Sequence, residues 1–171
     1  EMCIRDRDAE EIEGMLFENS DEPLARELAR AIMSAKRKKQ PIETTSQLRE
    51  IVEQVVLRTK PENPKEAVKK TCQRVFQALR IDVNSEFEVL DSFLEALPHI
   101  LKPGGKAAIL TFHSGEDRMV KKSFQYYARE GIYSDIAKDV IRPSAKECAS
   151  NPRARSTKFR WAVRSDVQKY E

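Results

Sequence analysis

The segment Phe112-His113-Ser114-Gly115-Glu116-Asp117-Arg118 gathers an imidazole, a hydroxyl, two carboxylates and a guanidinium in one short stretch of chain. Groups so placed can donate and accept hydrogen bonds and balance charge around a polar substrate. A structural reading fits equally well, with Ser114 as a helix N-cap and Glu116 and Asp117 as first-turn acids favoured by the helix dipole. The residue types leave both open. A Ser/His/Asp hydrolase is disfavoured, since no strained Gly-x-Ser-x-Gly elbow is present.

A second chemistry-bearing segment is Asn151-Pro152-Arg153-Ala154-Arg155-Ser156-Thr157-Lys158. Between 151 and 164 there are five basic residues and no acidic one. Such density suits a phosphate backbone, which arginine can grip bidentately. The alternative is a solvated edge strand whose arginines pair with nearby carboxylates. A third segment, Phe76 to Asn84, mixes core residues with Gln77, Arg80 and Asn84. Phe76 and Leu79 are read as packing, and Arg80 as an ion-pair partner first and a ligand second.

These segments need elements to hold them. Residues 8–19 read as a short helix through Ile12, Met15 and Leu16. Asp21 is the expected cap of a second helix with Pro23 in its first turn, where a missing N–H costs little. Ala25, Leu28, Ala29 and Ile32 share one face of that helix. It ends in Lys36-Arg37-Lys38-Lys39 before Pro41, a run that reads as a solvated helix end rather than an RNA contact. Thr44 and Gln47 form a capping-box start for a helix burying Leu48, Ile51, Val52 and Val55. Residues 58–64 are a linker. Asn63-Pro64 opens a fourth helix, lined by Val68, Cys72, Val75, Phe76 and Leu79.

After residue 80 the pattern changes. A helix beginning at Asn84 or Ser85 stops at Lys102-Pro103-Gly104-Gly105, and Ala107 to Phe112 is a nearly continuous apolar run. Such a run suits a strand buried on both faces of a parallel sheet. His113-Ser114-Gly115 is a tight turn into a helix over 116–128 that buries Met119, Val120, Phe124 and Tyr127. Helix, turn, buried strand, loop and helix together are the grammar of a doubly wound α/β sheet. The His113 loop would leave the carboxyl end of its strand, where ligands bind in such sheets. Lys158 to Arg164 alternates apolar with mostly basic residues, as a strand near a sheet edge does.

Composition narrows the classes. The chain has 171 residues, 35% of them charged, with a formal net charge of +3, so any nucleic-acid-binding surface must be local. Cys3, Cys72 and Cys148 are scattered and only His99 and His113 accompany them, so neither a disulfide framework nor a metal site is expected. A reducing cytoplasm is the plain reading. No apolar run approaches the roughly 20 residues of a membrane span. Glu1-Met2-Cys3-Ile4-Arg5-Asp6-Arg7 looks like the translation of a transposon-end adapter, and residues 1–7 are set aside as non-native.

Taken together, the ordered motifs resemble one family. Leu101-Lys102-Pro103-Gly104-Gly105 before a strand resembles the fifth-strand entry of class I methyltransferases. Phe-Gln-Ala-Leu-Arg-Ile with Val83-Asn84-Ser85-Glu86, then Phe-His-Ser-x-Glu-Asp-Arg, then Asn-Pro-Arg-Ala-Arg-Ser resemble the bacterial 16S ribosomal RNA (cytosine-N4) methyltransferases of the MraW or RsmH type. The order and spacing match over residues 22–164, and Pro41 to Thr45 looks like part of that family's helical insertion.

The resemblance implies a Rossmann-like class I methyltransferase fold with a mostly helical inserted subdomain. Residues 8–72 would be part of the insertion and 73–171 the C-terminal part of the catalytic domain. It implies methyl transfer from S-adenosylmethionine to the exocyclic amine of a cytosine in small-subunit ribosomal RNA. Because that amine's lone pair is delocalised into the ring, the base must be aligned in line with the methyl group. His113 and Ser114 are the candidates for shaping the pocket. Arg80, Asn84, Glu116, Asp117, Arg118, Asn151, Arg153 and Arg155 are the candidates for substrate contacts. The family's Gly-rich cofactor loop lies upstream and has no counterpart here, so no cofactor-binding residue is assigned, and the chain by itself is expected to be inactive. Two departures stand out. Gly115 occupies a position where the family usually has leucine, and Lys70-Thr71-Cys72-Gln73 stands where it usually has His-Pro-Ala-Thr. The rival readings are a non-catalytic RNA-binding module and a nucleotide-dependent oxidoreductase, which would need a Gly-x-Gly-x-x-Gly opening.

Overall fold

The computed structural model describes residue 4, residues 6–38, residue 40 and residues 42–166. Cys3, Lys39 and Pro41 lie outside the described residues. Two compact units divide between Glu86 and Phe87, further along the chain than the expected boundary at 72/73. Residues 72 and 73 lie inside one helix that runs from Pro64 to Asn84.

The first unit is helical. It comprises α1 (Ala9–Ser20), α2 (Ala25–Arg37), α3 (Thr45–Arg58) and α4 (Pro64–Asn84). α4 packs against α1 and α3, and α2 packs against both of those. Ile12, Leu16, Leu28, Ile32, Val52, Val56 and Val75 form the core. Each such side chain contributes about 1.5–3 kcal/mol when fully buried. Ala25, Leu28, Ala29 and Ile32 are all buried, as their spacing predicts.

The capping is partly as read from the sequence. Thr44 and Gln47 close a reciprocal capping box on α3, and Asn63 with Pro64 opens α4. Asp21, however, does not cap α2. It takes a left-handed conformation at the end of α1 (φ 49°), and its N–H bonds back to α1 carbonyls. No side chain caps α2, whose N-cap position is Leu24, and the neighbouring Glu22 is completely buried. Its carboxylate accepts the Leu24 N–H at 2.9 Å and binds Arg74, which also donates to Thr71. Arg7, in the segment set aside as non-native, pairs with Asp82 at 2.9 Å, and its carbonyl accepts from Lys36 Nζ. The last of those seven residues therefore takes part in the packing of this unit.

The second unit carries α5 (Glu86–Ile100, all but its first residue), β1 (Lys106–Thr111), α6 (Ser114–Arg129), β2 (Tyr133–Ile136), α7 (Ala145–Ser150), a 3₁₀ turn (Pro152–Ser156) and β3 (Lys158–Arg164). α5 ends before Gly104, which adopts φ +71° while its N–H bonds the Arg164 carbonyl. Leu94 and Leu97 of α5, Ala107, Val120 and Phe124 of α6, Tyr133 and Ala162 form the core. No helix among the described residues is long and apolar enough to cross a membrane.

The sheet corrects two expectations. Its order is β1-β3-β2, and both pairings are antiparallel. β1 and β2 run in the same direction, as a strand–helix–strand unit requires, but β3 inserts between them in the opposite sense. β3 is therefore the central strand and not an edge. β1 is also not buried on both faces. Ala107 and Thr111 are covered, while Ala108, Leu110 and Phe112 are exposed, the last two by 56% each. Register places Ala108 opposite Trp161 and Leu110 opposite Phe159, so the open face of this sheet is apolar.

Candidate functional site

The register that pairs Thr111 with Lys158 brings the end of β1 beside the start of β3. The 112–118 loop and the 151–157 turn thus leave the sheet at one edge, and the two polar segments read from the sequence meet there. Lys158 Nζ lies 3.9 Å from Asp117, and Arg160 grips the same carboxylate through bonds of 2.7 and 3.2 Å.

α6 begins in an uncommon way. His113, and not Ser114, is its N-cap: the extended backbone at 113 turns Nδ1 onto the Glu116 N–H at 3.4 Å. The Glu116 carboxylate returns the contact, accepting the Phe112 N–H at 2.9 Å and the His113 N–H at 3.4 Å. Partial burial pushes the Glu116 carboxyl up, but the His113 imidazole beside it and the N–H groups of Phe112 and His113 outweigh it and hold the group down to about 2. With Nδ1 accepting, the neutral ring carries its proton on Nε2. Nε2 is buried 3.2 Å from a Glu116 oxygen, yet off the line needed for a hydrogen bond. Ser114 is exposed at the first helical position.

Glycine at 115 has a physical consequence. A Cβ there would lie 2.7 Å from Cζ of Phe87 and 3.2 Å from His113 Nδ1. The Phe87 ring occupies that space, its centroid 5.8 Å from the imidazole and tilted by 53°. A leucine side chain at 115 would collide with this ring.

The remaining residues sort by what they touch. Asp117 is committed to Arg160, whose residue is only 6% exposed. Burial pushes the Asp117 carboxyl up, but Arg160, with Lys158 and Arg142 beside it, holds it below the usual carboxylate range. Arg164 donates to the carbonyls of Pro98 and Ile132. Two of the five basic residues of 151–164 therefore serve the interior. Arg118 is exposed, one position beyond Asp117. Asn151 caps the 3₁₀ turn by accepting the Arg153 N–H at 3.2 Å. Within that turn Ala154 is buried, while Arg153 and Arg155 are exposed and make no side-chain bond among the described residues. Arg80 and Asn84 belong to the first unit, where both bond Glu86. Arg142 was not singled out from the sequence. The signal available was only its nearness in sequence to the basic turn.

The MraW methylase family model matches residues 2–165. The chain belongs to the MraW methylase family. Among curated members it is 61% identical to the ribosomal RNA small subunit methyltransferase H 1 of Lachnoclostridium phytofermentans over 91% of its own length and 42% of that protein's. The protein of the same name from Agathobacter rectalis is 62% identical, with 92% and 45% covered. The ribosomal RNA small subunit methyltransferase H of Elusimicrobium minutum is 42% identical, with 90% and 50% covered. The chain thus spans under half the length of the first two family members.

Proposed function

We propose that this chain forms the RNA-facing part of an S-adenosylmethionine-dependent enzyme that methylates the exocyclic amine of a cytosine in small-subunit ribosomal RNA, on a Rossmann-like catalytic domain. The observation that carries the reading is the match over nine-tenths of this chain to family members whose names specify a ribosomal RNA small subunit methyltransferase. The site is compatible with it. The His113 loop and the Arg153–Arg155 turn leave the sheet at one edge, and exposed arginines there can neutralise phosphates. In this reading His113 and Ser114 shape the pocket, while Arg118, Arg142, Arg153 and Arg155 face the RNA. Asp117 and Glu116 hold the loop in place. Ribosomal RNA as substrate puts the activity in the cytoplasm.

The described residues do not offer a cradle for the methyl donor. A turn that lets the backbone approach a nucleoside ribose needs open glycine backbone at a strand-to-helix junction. The only glycine described at such a junction is Gly115, and Phe87 fills the space above it.

The test has two arms. Calorimetry with S-adenosylmethionine should give no heat for this chain alone; stoichiometric micromolar binding would refute the missing cradle. Binding to unmodified small-subunit RNA should weaken in Arg155→Ala, and the slope of log affinity against log salt should fall by about 1. Equal affinity and slope in Arg153→Ala and Arg155→Ala would remove the turn from the RNA interface.

A further inference from the structure

The loop that presents His113 is steadied from one side by Glu116. What steadies the other side is a residue that neither the motif nor the family resemblance points to. Phe87 opens α5, is half-buried, and sets its ring against both the imidazole and the glycine of the first turn of α6. We propose that Phe87 is a positioning residue for His113, and that Phe87 and Gly115 act as a complementary pair, the large side chain filling the space the small one leaves, so that together they set the imidazole's direction. The functional consequence rests on the reading of His113 as a pocket residue.

The geometry supplies the argument. His113 has two side-chain torsions, and the combination it adopts gives Nδ1 to the Glu116 N–H. At 3.4 Å that bond is long and weak for its type. It does not fix the ring without help. The imidazole side chain is nevertheless 10% exposed, so packing constrains it. The aromatic neighbour at 5.8 Å in a tilted arrangement is the contact that does this, and such ring pairs contribute beyond their buried area. The nearest approach of a Cβ at 115 is to the Phe87 ring, followed by His113 Nδ1. Any side chain at 115 must therefore move one of the two rings. The glycine permits the close approach, and the phenylalanine makes use of it.

The chain has two histidines, so its ring nitrogens can be followed by nitrogen-15 NMR on histidine-labelled protein with little overlap. In the parent chain the neutral His113 ring should show one form, Nδ1 unprotonated and Nε2 protonated. Gly115→Ala should displace this pattern. Phe87→Leu should average the two neutral forms as the ring gains freedom. Gly115→Ala combined with Phe87→Leu should return the His113 signals towards the parent's, because a methyl at 115 then meets a smaller partner. A residue that merely stabilised the unit would alter melting without altering the ring nitrogens, and would show no rescue. Parent-like ring signals in Gly115→Ala, or changes that simply add in the double variant, overturn the proposal. Both variants bear on it even where Phe87→Leu alone fails to fold. No RNA or cofactor enters these measurements, so failure of the methylation reading would leave them standing, and their failure would leave that reading intact.

Discussion

Asp117→Asn keeps the shape of the carboxylate that meets Arg160 and removes its charge. The side chains of Arg160 and Asp117 are 8% and 13% exposed. The guanidinium would remain charged, largely dry, and close to Lys158 and Arg142 without the anion between them. Breaking one partner of a buried pair costs about 3–5 kcal/mol, because the other charge is left uncompensated. The residual exposure at this site puts the expected loss at the lower end, about 3 kcal/mol. For a unit of this size each kcal/mol shifts melting by roughly 4–8 °C, so a fall of at least about 10 °C is expected. Trp161, the only tryptophan, adjoins Arg160 in β3 and makes its fluorescence a local reporter. Asp117→Asn combined with Arg160→Met should recover most of the loss, since an apolar group in that space needs no counter-charge. The pH response follows from the sign of the shift. The folded-state carboxyl lies below its ordinary value, so the pair's contribution is complete at neutral pH and disappears as pH falls below about 4. An Asp117 that faced RNA would behave in the opposite way. Its neutralisation would strengthen RNA binding and leave the melting curve in place, and that outcome refutes the reasoning.

Two further outcomes are expected. Glu22→Gln keeps an acceptor for the Leu24 N–H but removes the charge opposite Arg74, whose side chain is one-third exposed; urea unfolding followed by helical circular dichroism should show a loss of about 2 kcal/mol, less than a fully buried pair would give. Glu116→Ala removes half of the reciprocal cap on α6 and should cost about 1 kcal/mol. Because the Glu116 carboxyl is held down to about 2, the parent chain should lose this cap's contribution as pH falls from about 4.5 towards 2, whereas the variant's melting temperature should lack that component.

Helical periodicity was the most legible feature of the sequence. Ala25, Leu28, Ala29 and Ile32, the Thr44–Gln47 box and the Asn63-Pro64 start are local signals, each complete within one or two turns, and the structure has all of them. Asp21 was misread because an acidic residue before Pro23 fits either helix end; the left-handed turn that ends α1 is decided by Glu22 folding inward to meet Arg74, a contact 52 residues away. The same limit applies to the sheet. The alternation at 158–164 marks a strand but says nothing of its neighbours, and β2 is four residues long with an irregular register. At the site, the motif marked the loop, yet the cap came from His113 because the imidazole can reach the Glu116 N–H from an extended backbone. Arg160 carried a usable signal: it shares the phase of Ala162 along the strand, so a cation there called for a buried acid.

The strand order also has a meaning in time. β1 and β2 flank β3 and pair with it alone among the described residues, and β3 is the last of the three to be synthesised. Neither flanking strand can gain these ladder bonds until the chain has emerged as far as Arg164. Arg164 itself reaches back to Pro98 and Ile132, and Gly104 waits for the Arg164 carbonyl. Such pairings between distant residues are slow to form, because loop closure must precede any reward. The second unit therefore closes from its far end, and a ribosome paused within β3 would leave α5, α6 and two unpaired strands with their apolar surfaces in water.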